Sequence, residues 1–231
     1  MAAHEASAQA GGGSGSATAT TGSLGVAAAG DLIVATVGWY LGTFVSVTDS
    51  VGGNTWTQVG TELSLGGGSS QSLRVYYSVL SAGGSGFTVT FTASSTGTYP
   101  TIVADRFSGS AFAADVTAGA EPGTSNASGS TGATSTRGAA TTVMVAGFST
   151  AHTSDITFTE GNNVAWALGG AYGTGSASCP VAQEWFIASS AGTDAGEMSW
   201  TSANYWAGRI AVFTFSGGGG GGDTGLAWLR A

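Results

Sequence analysis

The sequence contains no lysine: its cationic side chains, apart from two histidines, are Arg74, Arg106, Arg137, Arg209 and Arg230. With thirteen acidic residues the net charge is −8. This balance argues against a nucleic-acid partner, because phosphate neutralisation needs clustered Lys and Arg. Charged residues make up 8% of the chain, against about 25% in an ordinary globular protein. A single cysteine, Cys179, excludes an intrachain disulfide. Beside Pro180 it reads as a small buried hydrophobe. No window reaches the ~18 apolar residues of a membrane span, so no membrane partner is expected. The first twenty residues lack a basic stretch and an apolar stretch, so no secretory signal is expected. Helical periodicity with caps is also missing, and short stretches such as Ala111 to Asp115 do not supply it.

What is present is strand-length patterning in a chain with 41 glycines and 42% hydrophobic residues. Leu32 to Tyr40 (LIVATVGWY) is a nearly continuous apolar run and reads as a buried central strand. Phe87 to Thr92 (FTVTFT) alternates cleanly, with Phe, Val and Phe on one face and three threonines on the other. Phe44 to Gly60 (FVSVTDSVGGNTWTQVG) alternates, turns and alternates again, which predicts a β-hairpin. An approximate copy follows at Asp155 to Gly169. Further strands are expected at 73–80, 101–107, 141–148, 181–188, 197–201 and 205–215.

The chain resembles itself at an offset of 108 residues. Tyr77 matches Trp185, Ile102 matches Ile210, and Phe107-Ser108-Gly109 matches Phe215-Ser216-Gly217. The expected fold is an all-β, antiparallel, jelly-roll-like sandwich from two similar halves, about 31–109 and 141–217, both contributing strands to both sheets. Two tandem sandwiches are the alternative, with a thin core in each. The sandwich is expected over 17–216, after a polar arm at 1–16, with residues 110–140 as a linker inside it. Residues 217–231 read as a glycine spacer and an apolar tail, in which Leu226, Trp228, Leu229 and Arg230 are candidate assembly contacts.

No catalytic constellation stands out. The histidines are His4, in the expected arm, and His152, in a loop, and no nucleophile-elbow motif accompanies them. Glu184 and Glu197 fall in neighbouring strands and are the one carboxylate pair that a glycosidase reading can use; outward-facing strand residues explain them as well. Asp49 and Asn54, or Asp155, Glu160, Asn162 and Asn163, offer oxygens to calcium, although turn chemistry accounts for the same residues. The expectation is therefore no enzyme, no metal and no cofactor.

The segments Gly30-Asp31-Leu32-Ile33-Val34, Val47 to Trp56, Val75-Tyr76-Tyr77-Ser78 and Asp105-Arg106-Phe107-Ser108-Gly109 resemble a phage and bacterial β-sandwich family. Its hallmarks are a GDLLV strand, a VxDSxGNT[YFW] turn and an E[YF]SG ending. The resemblance spans roughly Gly25 to Phe215, departing by an extra glycine in VGGNTW and by Asp105-Arg106 before FSG. Members occur in virion structural and surface proteins, so it implies a fold and brings no catalytic residues. The functional expectation is a structural protein on the exterior of a virus particle, most simply a bacteriophage capsid decoration protein. Its expected partners are the major capsid protein, other virion proteins and copies of itself, with a trimer as one arrangement. A carbohydrate-binding or adhesive module, or a tail or baseplate component, is the alternative.

Overall fold

Leu32 to Trp39 are buried without a break, on both faces of their strand. A strand is apolar on both faces only when a layer covers each side, and the architecture supplies both layers. In the computed structural model the described residues are 2–13, 15–96, 98–137, 141–151, 155–161, 166–173 and 179–215. They form strands without an α-helix.

The first half holds β1 (Ala3–Gly11), β2 (Thr18–Thr20), β3 (Leu32–Tyr40), β4 (Phe44–Asp49), β5 (Thr57–Ser64), β6 (Gln71–Val79), β7 (Val89–Ala93) and β8 (Thr101–Ser108). The second holds β9 (Phe112–Ala120), β10 (Asn126–Ser130), β11 (Thr142–Thr150), β12 (Phe158–Glu160), β13 (Ala167–Tyr172), β14 (Val181–Ala188), β15 (Glu197–Asn204) and β16 (Trp206–Phe215). In the first half the sheets run β1-β8-β3-β6-β5 and β2-β7-β4; in the second, β13-β14-β11-β16-β9 and β10-β15-β12. Replacing each strand number n of the first half by n+8 reproduces the second. The order 1-8-3-6 facing 2-7-4 is that of a jelly roll, with the fifth strand on the edge of the larger sheet. The all-β antiparallel sandwich is present, but the single jelly roll shared by both halves is not: the alternative, two tandem sandwiches, is what forms, and each has jelly-roll order. Each half completes its own, instead of lending strands to a shared pair of sheets.

Four layers result, with the five-stranded sheets inside and the three-stranded sheets outside. Trp39, Phe87, Phe91 and Ile102 fill the first sandwich, and Phe148, Phe158, Trp200 and Ile210 fill the second. A third core joins the inner sheets through Leu32, Val34, Phe107, Val143, Val145 and Phe213. Tyr77 meets Phe213 edge-on there, with ring centroids 5.0 Å apart. This shared core removes the objection that two small sandwiches would each be thin. The 108-residue offset keeps its facing on the last strand of each half: Ile102 and Ile210 point into their own sandwiches, and Phe107 and Phe215 point into the middle core.

Three further expectations are corrected. Residues 1–16 are not a free arm, since Ala3 to Gly11 form an edge strand paired along β8. Residues 110–140 are not a linker, since β9 pairs with β16 and β10 with β15. Both segments are rich in small residues, and their ladders rest on backbone hydrogen bonds that leave no apolar signature. Finally, Phe44 to Gly60 is not a hairpin. β4 pairs with β7 in the outer sheet, while β5 pairs with β6 in the inner one, so the turn carries the chain across the sandwich. The copy at β12 and β13 crosses in the same way.

Candidate functional sites

The crossing loop of the first half is built on one carboxylate. Asp49 Oδ1 accepts the backbone N–H of Val51 (3.1 Å) and Gly52 (2.8 Å) and an amide N–H of Asn54 (3.2 Å). Its Oδ2 accepts the indole N–H of Trp56 at 3.1 Å. Asn54 Oδ1 in turn accepts from Ser81 and Ala82, tying the loop to the next connection. Gly52 and Gly53 take φ of 76° and 79°, which glycine adopts at no steric cost. These donors occupy the oxygens that a calcium ion would need, so the D-S-V-G-G-N-T-W segment is turn chemistry. No described cluster of three or more His, Cys, Asp or Glu side chains has the arrangement to hold a metal.

The two glutamates of the glycosidase reading do not face one cleft. Glu184 lies on β14, is 1% exposed and points into the second sandwich. Its Oε1 accepts the backbone N–H of Glu197 at 2.6 Å, and its Oε2 has no partner. Burial pushes its carboxyl up to about 8, against that hydrogen bond and helped by Glu160 and Glu197. Glu197 and Glu160 instead border an open cleft of about 400 Å³ with Ser128, Ser199 and Trp206. Glu160 Oε1 is taken by the N–H of Leu168 at 2.6 Å. A buried neutral carboxyl held by a backbone amide serves packing and gives a glycosidic bond no acid–base pair.

At the seam between the halves, His4 Nε2 lies 3.0 Å from Ser7 Oγ and 3.1 Å from Asp105 Oδ1. The Ser7 hydroxyl also donates to Asp105 directly. A serine–histidine–aspartate relay needs the imidazole between the other two, using a different nitrogen for each. Here one nitrogen meets both oxygens. The imidazole stacks on Trp185 at 4.4 Å and meets Phe107 edge-on at 5.3 Å. Asp105 is completely buried. This cluster clamps β1 to the second half. Sequence reading placed His4 in an arm and Asp105 in the strand at 101–107, before FSG, and gave neither a role.

Cys179 is fully buried, as expected, and burial pushes its thiol up to about 12, which leaves it inert. Trp39, Trp166, Trp200 and Trp206 are buried and Trp56 and Trp185 half-buried, so no described tryptophan is a free platform for a sugar ring. The outer sheet of the first half presents uncharged rungs instead, Thr20 beside Thr90 beside Thr48 and Thr18 beside Thr92 beside Ser46. In the second half Ser128, Ser199 and Thr159 form a similar rung. His152, Asn162, Asn163 and the tail residues Leu226, Trp228, Leu229 and Arg230 lie outside the described residues.

No protein-family model, curated protein or solved structure matches the chain.

Proposed function

We propose that this chain is a non-enzymatic structural protein of a virus particle, on its exterior, most simply a bacteriophage capsid decoration protein. The observation that carries the reading is the back-to-back fusion of two jelly rolls through a third core. Such a stack is a stiff spacer whose two outer faces are sheets bearing uncharged hydroxyl rungs. Among the described residues, Asp49, Asn54, one oxygen of Glu184 and one of Glu160 are engaged in loop and strand geometry. Neutral hydroxyl surfaces with scarce charge suit permanent packing against protein neighbours better than free solution. The partners in this reading are the major capsid protein, other virion proteins and further copies of the chain, with a trimer as one arrangement. Many weak contacts on a repeating lattice add through effective concentration.

The test is the copy number of the chain per purified particle, counted against the major shell protein by quantitative mass spectrometry. Hundreds of copies support a decoration role. A handful move the chain to the tail or baseplate, and none removes the virion reading. Deleting Asp223 to Ala231 tests the tail separately: the expected outcome is lower particle occupancy, and unchanged occupancy removes the tail from the account.

A further inference from the structure

We infer that the guanidinium of Arg209 is a binding site for a carboxylate, reached between the β5 and β9 edges at one flank of the stack. The inference goes beyond the virion reading and does not rest on it.

Arg209 is the exception among the described arginines. The ion pairs among the described residues belong to His4, Arg74, Arg106 and Arg137. Arg209 makes none, although it is buried as deeply as Arg106, at 7% exposed against 9%. Its Nε is sealed without an acceptor. Among the described residues its terminal nitrogens have none either, and the one charge acting on it is Glu121, from beyond bonding distance. Burial lowers its pKa, with Glu121 opposing. A guanidinium nonetheless stays charged in proteins and carries five donors. A buried charge without a partner is a costly state, and an incoming acceptor relieves it.

The surroundings leave room for one. Along β16, Ile210 and Val212 point into the second sandwich, and Ala211 and Phe213 into the middle core. Alternation therefore puts Arg209 on the side of the seam. Its cover there is backbone. A Cβ on Gly60 would collide with Nη1, and a Cβ on Gly119 would lie 3.0 Å from Cζ and 3.2 Å from each Nη. Gly60 belongs to β5 and Gly119 to β9, the edge strands of the two inner sheets, and both glycines are exposed. Each strand is bulged nearby: β5 slips against β6 between Val59 and Leu63, and β9 slips against β16 between Ala211 and Phe213. Bulges interrupt regular pairing and often lie beside functional sites. Gly60 also borders a cavity of about 150 Å³ between the same strands, with Thr57 and Gln58 on one side and Asp115 and Thr117 on the other. That space accommodates the stem of a small acid.

Charge and shape select the ligand. The guanidinium fork takes both oxygens of a carboxylate side by side. A phosphate group carries about −1.5 to −2 charges near neutrality and calls for a second cation. Arg74 is held by Glu62, Arg106 by Asp31 and Arg137 by Asp194. Asp115 and Glu121 stand at the same flank and add repulsion against a dianion. The chain's own nearby carboxylate, Glu121, is turned to the Ser64 N–H, which it accepts at 2.7 Å.

The same chemistry comes from a free acid or from an acidic side chain of another protein. The full-length chain is titrated with sodium acetate, and separately with N-acetylglutamate N-methylamide, at an ionic strength held constant with sodium chloride. Arginine Nε–H resonances are followed by NMR. The Arg209 signal is the one missing from Arg209→Gln, or from Arg209→Lys should the first variant not fold. The expected result is a shift of this signal that saturates with acetate while the other arginine signals move little. Saturation by the blocked glutamate as well assigns the site to protein side chains, and saturation by acetate alone assigns it to free acids; both outcomes support the site. Glu121→Gln leaves the guanidinium untouched and is expected to bind acetate at least as tightly as the wild type. The inference is overturned if neither acid saturates the shift, or if sodium phosphate does so at lower concentration than acetate. It is also overturned if only Glu121→Gln responds, because Glu121 then fills the site already.

Discussion

The indole N–H of Trp56 donates to Asp49 Oδ2 at 3.1 Å, so one carboxylate holds both the loop backbone and the aromatic residue that re-enters the core. Four donors converge on this side chain. Asp49→Ala is expected to cost roughly 2–4 kcal/mol, because the donors lose their acceptor together. Asp49→Asn keeps one oxygen and sets an amide N–H against the indole, for a smaller loss of about 1–2 kcal/mol. Thermal melts read both. Millimolar calcium is expected to leave the wild-type midpoint unchanged, and a clear upward shift would contradict this account of the loop.

Glu184 makes stability depend on pH in the opposite sense to a salt-bridged carboxylate. Its folded pKa is raised by burial to about 8 from an ordinary 4.5. Between these values the native state holds a proton that the unfolded chain has released, so stability falls as pH rises through that window. The slope is at most about 1.4 kcal/mol per pH unit. Glu184→Gln resembles the protonated form and keeps an oxygen for the Glu197 amide. It is expected to match the wild type near pH 4.5 and to melt higher at pH 8. Parallel pH–midpoint curves for the two proteins would show that Glu184 is not the titrating group.

Arg106 and Asp31 form a buried pair, Nη1 to Oδ2 at 2.9 Å, and Arg106 Nε also donates to Leu24 O at 2.9 Å. Asp31 further accepts the N–H of Ala28 at 3.0 Å, so the pair fastens the loop before β3 to β8. Asp31→Ala leaves the guanidinium with the Leu24 carbonyl and, at 3.9 Å, the half-exposed Glu5 carboxylate, and is expected to cost about 2–4 kcal/mol. The double variant Asp31→Leu/Arg106→Met removes both charges and is expected to recover much of that loss. Denaturant midpoints compare the three proteins, and a double variant as unstable as Asp31→Ala would show that the loop needs the ionic contact itself.

The layer order was written in the sequence more fully than the topology. Leu32 to Tyr40 and Thr142 to Thr150 are apolar without alternation because both their faces are covered; Val89 to Ala93 alternates because one face of its sheet meets solvent. Continuous and alternating runs thus mark inner and outer layers. β1, β9 and β10 were illegible, since their alanines, glycines and serines contribute ladders and little else. The crossing loop looked like a hairpin because a turn sequence specifies reversal without specifying the sheet in which the chain resumes. The candidate sites divided in the same way. Asp49 and Asn54 stood out by motif. Asp105 acquired its partners only when β1, remote in sequence, was laid beside it.

The middle core predicts that the two jelly rolls unfold as one. Among the described residues, Leu32, Val34 and Val75 of one inner sheet pack in a single core with Val143, Val145 and Phe213 of the other. Separating the halves would expose this face, and an isolated first half, residues 1–109, is expected to associate or aggregate rather than remain a monomer. Within the full chain, Phe213→Ala removes a completely buried ring that meets Tyr77 across the seam, at an expected cost of about 3–5 kcal/mol. At roughly 2–4 °C per kcal/mol for a chain of this size, the midpoint should drop by about 10 °C. Because the seam belongs to both halves, calorimetry is expected to show one endotherm, displaced as a whole, with matching calorimetric and van't Hoff enthalpies. Phe91→Ala, which damages the first core alone, should displace the same single endotherm. Two separated transitions, with only one of them shifted, would mean that the halves are stable independently and that the middle core does not couple them.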